Sequence, residues 1–319
     1  MKLIARAAAV LVLVASAAAA QDYPNRPIRL VMPNAPGSSI DTVGRLTAVR
    51  LGEVLGQQIV IENRAGAAGA IGIEAAKIAH PDGYTLLFAS ASGMSIAPLL
   101  QRKIPYDPLN DFAFVSLVAV MPNVLVVNPG LPIASVKELV EYSRANQGKV
   151  NMASAGPGAA SHLGGVLLMV MAGFESLHVP YKGGGPSVGS VVAGESHWTI
   201  APAPATMSLV KSGRLRAIAH SLPQRAPLFG DIPAVAETVP GYDYSGWAGL
   251  LAPKATPRPV LDRLHAALVT AAANPALKEG FGAQGAEVVI TSPDAFRKFL
   301  EQDIANTAKV VKAAGLQPE

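Results

Sequence analysis

Short apolar runs recur along this chain, and nearly every one breaks at a Gly-, Ser- or Pro-rich corner that opens into a helical pattern. This alternation constrains the fold more than any other feature. Strands joined through helices pair in parallel, with right-handed crossovers. Ile28–Met32, Ile59–Ile61 and Tyr84–Ala89 read as three such strands. After the first, Val43, Leu46, Leu51, Val54 and Leu55 fall near one helical face, and Gly56 ends that helix. After the second, a helix stops at His80-Pro81. A further series follows. Ser135 caps a helix with Glu138 completing a capping box. Val150–Ala153, "SLHVPY", "HWTIA" and "RLRAIAHS" then read as strands, with helices at "LGGVLLMVMAG", after "KGGGP" and around Met207 to Lys211. Pro257 to Ala273 is helical, "EVVIT" reads as a strand, and a final helix runs from the cap Ser292 to Ala314 with Gly315 as its stop.

β-rich connectors near 118–127 and 244–252 separate the two series. They imply two α/β lobes joined twice, the first of them discontinuous. The expected boundaries are 21–122 with 246–319 for the first lobe and 123–245 for the second.

Residues 1–20 stand apart. Lys2 and Arg6 precede an apolar run from Ala7 to Val14 and small residues from Ser16 to Ala20. This is the pattern of a secretory signal peptide, with cleavage expected between Ala20 and Gln21 and a periplasmic destination. Its apolar run is too short to span about 30 Å of hydrocarbon. Losing Lys2 and Arg6 lowers the formal net charge from +4 to about +2. No basic run or basic helix accompanies it, so nucleic acid is not an expected partner. The chain has no cysteine, which excludes disulfides, thiolate metal sites and thiol catalysis.

The corners carry the chemistry. "VMPNAPGSSIDTVGRL" runs from a strand end through a Pro-Gly turn into a helix. It has no reactive side chain, yet backbone N–H groups and the positive end of a helix dipole bind anions without one. "RAGAAGAIG", "SASGMS" and "SAGPGAASH" repeat the arrangement after other strands. Ligands of open parallel sheets bind outside the carboxyl ends of strands, where these corners lie. Gly and Ser also serve turns for purely local reasons, and Asp41 has an equally good role as a cap of its own helix. The agreement of several corners is what points to a small anion.

Catalytic patterns are weaker. Gly185-Pro-Ser187-Val-Gly189 matches a nucleophile elbow formally. Pro186 and the preceding glycines read instead as a helix start, so a serine hydrolase is a minor alternative and no catalytic residue is assigned. The six histidines form no metal-ligand spacing, so no metal is expected. His197 and His220 lie on segments that read as neighbours and would titrate near about pH 6–7 if they face a cleft. No nucleotide-binding motif occurs, and no cofactor is expected.

"YPNRPIRLVMPNAPGSSIDTVGRL", "GQQIVIENRAGAAGAIGIEAAKIAHPDGYTLLFAS", "IPYDPLNDFAFV", "NMASAGPGAASHLGG", "HVPYKGGGPSVGSVVAGE", "SGRLRAIA", "DIPAVAE" and "VLDRLHAAL" follow in this order. Together they resemble the Bug-type extracytoplasmic solute-binding proteins of the tripartite tricarboxylate transporter family. The resemblance implies a type II periplasmic-binding-protein fold, with two α/β lobes around a cleft that binds a small organic acid by backbone amides and small polar groups. It implies ligand contacts at Asn34, Ala35, Gly37, Ser38, Ser39, Asp41, Gly66, Ala67, Gly69, Ser90 and Ser92 in the first lobe. In the second it implies Ser154, Gly156, Gly158, Ala159, Ala160, His162 and Ala201. The sequence departs from the family pattern at Asn34, usually aromatic, and at Ser38, usually glycine. His197 and Ala201 replace aspartates, and His220 replaces an apolar residue. Expected partners are the membrane subunits of such a transporter, with a sensor kinase as the alternative, and the protein is expected to be a monomer.

Overall fold

The computed structural model describes residues 23–318. The segment read as a signal peptide lies outside them. Two sheets organise the chain. The first contains β1 (Ile28–Met32), β2 (Ile59–Asn63), β3 (Thr85–Ser90), β4 (Phe112–Met121), β10 (Gly246–Pro253) and β11 (Glu287–Val288), in the order β11-β4-β10-β3-β1-β2. The second contains β5 (Asn123–Val127), β6 (Asn151–Ser154), β7 (Leu177–Pro180), β8 (Trp198–Pro202) and β9 (Arg216–His220), in the order β7-β6-β8-β5-β9. The helices are α1 (Ser39–Leu55), α2 (Ala70–Lys77), α3 (Ala97–Leu100), α4 (Val136–Ala145), α5 (Ala160–Ala172), α6 (Gly184–Ala193), α7 (Ala203–Lys211), α8 (Arg258–Ala272), α9 (Pro275–Ala283) and α10 (Pro293–Ala313). This is the type II periplasmic-binding-protein architecture, with two lobes connected by strand crossovers.

Each sheet is covered on both faces, as parallel strands that expose neither face require. On the first sheet, Val43, Ala48 and Leu51 of α1 bury against Leu30, Leu86 and Phe88, together with Leu264 of α8 and Phe281 of α9. On its other face Ile73 of α2 and Phe296 and Leu300 of α10 meet Val31, Leu87 and Trp247. Gly249 sets the spacing there, because a Cβ at that position would stand 2.2 Å from the Phe296 ring. In the second sheet every residue of the interior strand β5 is buried. Leu125 and Val127 pack under α4 and α5, while Val124 and Val126 pack under α6 and α7.

Register decides where the corners lie. β1, β2 and β3 are parallel, so their carboxyl ends share one edge. β4 leaves the first sheet at Met121 and, after Pro122 alone, β5 enters the second antiparallel to β8, with Asn123 opposite Pro202. The return strand β10 starts with Gly246 opposite Met121 and Ala248 opposite Ser90. Both crossovers therefore join the carboxyl edge of one sheet to the carboxyl edge of the other. A polar knot ties them. Asn123 Nδ2 donates to the Tyr244 carbonyl at 2.9 Å, and the Ser221 and Ser245 hydroxyls lie 2.9 Å apart. The C-terminal helix spans the gap, since Val310 and Val311 of α10 pack on Leu163 and Val166 of α5.

Several local expectations change. "SASGMS" is not a simple turn, because Ser92–Ile96 forms a π-helical turn leading into α3. "EVVIT" contributes only Glu287 and Val288 to the sheet, since Ser116 and Thr291 exchange side-chain bonds with the backbone beyond that point. The Ser135 cap receives the Glu138 N–H, but the Glu138 carboxylate takes the N–H of Ala134 rather than that of Ser135.

Candidate functional site

The three first-lobe corners meet. A Cβ on Gly69 would lie 3.3 Å from Pro33 Cβ and 3.8 Å from Gly93 Cα, and one on Gly93 would lie 3.6 Å from the Ala68 carbonyl. The loops after β1, β2 and β3 therefore form one surface. Asn34 lies in it with its Oδ1 buried and bonded to nothing. Ala35, Gly37, Gly66, Ala67 and Ser92 are exposed on it, Ser38 and Ser39 half-buried, and Ser90 and Gly69 buried. Ala67 (φ 47°) and Ala68 (φ 54°) occupy the left-handed region, which costs a residue with a Cβ roughly 1–2 kcal/mol. Such strain marks a loop held by its surroundings. Gln101 Nε2 helps hold it with a 3.1 Å bond to the Ala67 carbonyl.

The first corner braces itself. The Ser38 hydroxyl accepts the Asp41 N–H at 3.2 Å, so Ser38 is the N-cap of α1. Asp41 Oδ2 accepts the Gly37 N–H at 2.9 Å and Arg45 Nε at 2.8 Å, and Oδ1 accepts Asn63 Nδ2 at 2.8 Å. Asn63 Nδ2 also reaches the Asn34 carbonyl at 3.0 Å. Burial would raise the Asp41 pKa, but the bonds from Arg45, Asn63 and Gly37 outweigh it and hold the group below its ordinary value. The carboxylate is 2% exposed because its own partners cover it, not because it lies deep in the core. In the first turn of α1 this leaves the N–H groups of Ser39 and Ile40 without an acceptor among the described residues.

The second-lobe corner differs. The Ser154 hydroxyl accepts the Gly156 N–H at 3.1 Å, the Ser161 hydroxyl accepts the Ala155 N–H at 2.9 Å, and His162 Nδ1 accepts the Gly158 N–H at 3.1 Å. The loop amides expected to serve a ligand at Gly156 and Gly158 are thus spent inside the corner. Helix α5 itself is uncapped. Its N-cap is Ala159, which has no side-chain acceptor, and the N–H groups of Ala160, Ser161 and His162 find none elsewhere in the described residues. Because His162 Nδ1 accepts from Gly158, its proton sits on Nε2, which bonds to no protein group. The ring stacks on His178 at 3.9 Å, and His178 Nε2 lies 2.6 Å from the Ser154 hydroxyl. Burial, then the neighbouring His178, lowers the His162 pKa to about 4, and burial lowers that of His178 as well. Both rings are neutral near pH 7.

Leu100 Cδ1 of the first lobe comes within 2.8 Å of where a Cβ on Gly158 would stand, and Gly158 has φ 72°, so this approach admits only glycine without strain. That contact sets the end of α3, and with it Gln101 and the Ala67 loop, beside the second-lobe corner. Ala201 does not join them. It is 2% exposed and belongs to the core beneath α6 and α7, with Val124 and Val188 as companions.

Other expectations are corrected. His197 and His220 do not stand side by side, because β5 lies between β8 and β9. Neither keeps the ordinary histidine environment. Burial lowers both pKa values, His197 Nδ1 accepts the Asn151 N–H, and the His220 ring is sealed with both nitrogens unbonded. The Ser187 hydroxyl is fully buried with no partner, so it has neither a base nor access to an ester. No group of three or more potential metal ligands occurs among the described residues, and no described helix is long and apolar enough to cross a membrane.

Sequence reasoning missed Asn63 and His178. Each reaches its corner only through parallel pairing, Met32 opposite Asn63 and Met152 opposite His178. Nothing in the local sequence announces either. A cavity of about 810 Å³ near the crossovers, between α5 and α10, contains none of the expected ligand contacts.

Residues 43–316 match the model of the tripartite tricarboxylate transporter family receptor. The protein BugT of Bordetella pertussis is 37% identical over 304 residues, covering 95% of this chain and 93% of its own. Two solved structures are similar. R. palustris Rpa4515 with adipate is 33% identical with a TM-score of 0.79, over 93% of this chain and 100% of that one. MatC from Rhodopseudomonas palustris with bound malate is 29% identical with a TM-score of 0.73, over 91% of this chain and 100% of that one. The family is one of binding receptors rather than enzymes, and this chain belongs to it as a Bug-type solute-binding protein of the tripartite tricarboxylate transporter family.

Proposed function

We propose that the protein captures a small carboxylate between the two facing corners and closes on it by rotation about the strand crossovers. The observation that carries this reading is the uncapped N-terminus of α5. Three N–H groups with no acceptor among the described residues and the neutral His162 Nε2–H lie there. Each hydrogen bond to a charged group contributes roughly 1.5–3 kcal/mol. Three of them, less the cost of ordering, support an affinity of about micromolar. The ligands named for two relatives, adipate and malate, are both dicarboxylates, which favours the same class here.

The lobes divide at 122/123 and 245/246, where the chain changes sheet, and these are the hinge positions of the proposal. Contacts from both lobes favour the closed state by their differential affinity. The closed complex is then recognised by the transporter's membrane subunits, following export to the periplasm as a monomer. Asp41, Ser161 and His178 brace the corners without touching the ligand. The signalling alternative finds no feature of its own among the described residues.

A thermal-shift screen of the protein against mono-, di- and tricarboxylates, beginning with adipate and malate, tests the reading. At least one acid should raise the melting temperature saturably. A screen in which amides or alcohols match the acids would overturn it, as would one in which no acid acts.

A further inference from the structure

The cavity of about 810 Å³ is separate from the facing corners and has a chemistry of its own. Its walls come from both lobes and from the crossover between them. Val170 and Met171 of α5 and Leu222 after β9 form one apolar side, while Val289 and Phe299 form the other. Asp243 on the return crossover, Asp303 on α10 and Glu287 of β11 supply carboxylates.

Neither aspartate forms an ion pair among the described residues. Asp243 has no hydrogen bond and no ion pair with any described residue, although it opens into the cavity. Asp303 Oδ2 accepts Trp247 Nε1 at 2.8 Å and the Ser95 hydroxyl, leaving Oδ1 free. Arg225 lines the same space but is committed to Glu237 at 3.0 Å. Lys309, also on the lining, makes no ion pair with a described residue and does not bond to either aspartate. Burial, then the Asp303 charge, pushes the Asp243 pKa up to about 6, although the residue itself remains exposed on the cavity lining and Asp303 is half-buried. Burial raises Asp303 too, partly offset by Ser95 and Trp247.

Small-molecule sites are concave, mostly apolar, about 300–1,000 Å³ in volume and fitted with a few polar groups that fix orientation. This cavity meets each condition. A bare metal ion fits poorly, since no group of three ligating side chains exists among the described residues.

We propose that the cavity between α5, α10 and the return crossover is a second binding site, specific for a small organic ammonium ion with an apolar body. The ammonium group pairs with Asp243 and the free oxygen of Asp303, and the hydrocarbon fills the space between Met171, Leu222 and Phe299. The site does not depend on what the facing corners bind.

Titration calorimetry with cyclohexylmethylammonium chloride tests this, with cyclohexylmethanol and cyclohexanecarboxylate as the neutral and anionic isosteres. The ammonium ion should bind saturably, one per chain, and the alcohol at least about tenfold more weakly. Affinity should rise from pH 5 to pH 7.5 as Asp243 ionises. Asp243→Asn should weaken it at least about tenfold, and Met171→Trp, which fills the cavity from its rim, should do the same without removing a charge. Neither change should alter the thermal shifts produced by carboxylates, so failure here is distinguishable from failure of the carboxylate reading. Absence of saturation up to about 20 mM ammonium overturns the proposal, as does equal affinity for the alcohol or undiminished binding by Asp243→Asn.

Discussion

At the N-terminus of α1, Ser38 caps the Asp41 N–H and the Asp41 carboxylate gathers Gly37, Arg45 and Asn63. At the N-terminus of α5, Ala159 caps nothing and the nearest titratable group is a neutral histidine pair. The same strand-to-helix device is thus used in opposite ways. The first lobe spends part of its helix end on its own stability, leaving only the Ser39 and Ile40 N–H groups, and places a negative charge beside it. The second leaves its dipole unspent and removes charge from the surroundings. An anion gains more from the second, because an uncapped helix end contributes donors that cost no protein hydrogen bond to recruit.

The largest effect should come from giving α5 the cap that α1 has. Ala159 already has the extended backbone of an N-cap, at φ −66° and ψ 156°. Ala159→Asp should stabilise the fold by about 1 kcal/mol. It should also weaken carboxylate binding on the order of a hundredfold, through occupied donors and like charge. Calorimetry beside a urea melt reads both, and unchanged affinity would remove α5 from the site. Asp41→Ala tests the other side. It strands Gly37 and Asn63 donors and should cost about 2–3 kcal/mol of stability in a denaturant titration, far more than it changes ligand affinity.

His162→Phe keeps the stack on His178 but removes the Nε2–H donor and the acceptor for Gly158. Carboxylate affinity should fall roughly tenfold or more. A pH series sharpens the contrast. The His162 pKa is depressed in the folded state, so its contribution is complete above the unfolded value of about 6.5 and is lost as pH falls toward about 4. Asp41, also depressed, contributes above about pH 4 and fails only below it. His162→Phe should flatten the first window and leave the second; a variant with an unchanged profile from pH 6.5 to 4 would count against the buried neutral ring. The smallest effect belongs to Ala67→Gly. Relief of the left-handed strain less the added freedom of the unfolded chain should raise stability by about 0.5 kcal/mol, visible as a small rise in Tm.

Much of this was legible in advance. The Val43–Leu55 periodicity and the Gly56 stop placed α1, and Ser292, Pro293 and Gly315 framed α10. Pro122 and the β-rich run around it marked the first crossover. These are local signals, fixed by backbone sterics and by the 3.6-residue repeat. The site was legible as a set of corners but not as a division of labour. Whether Gly156 offers its N–H outward or to Ser154, and whether Asp41 meets a ligand or Arg45, depends on side-chain rotamers that composition does not reveal. His197 and His220 read as neighbours because sequence order says nothing of β5 passing between their strands.

The sequence by itself determined the alternating elements, their caps and the loops where a small anion finds amides, because each follows from interactions within a few residues. Tertiary structure alone decided which amides remain free, that Asn63 and His178 stand behind the corners, and that two uncompensated aspartates share one cavity. Those facts arise from parallel register and from two sheets meeting at their carboxyl edges, and residues 22 to 56 positions apart become neighbours only when that packing is complete.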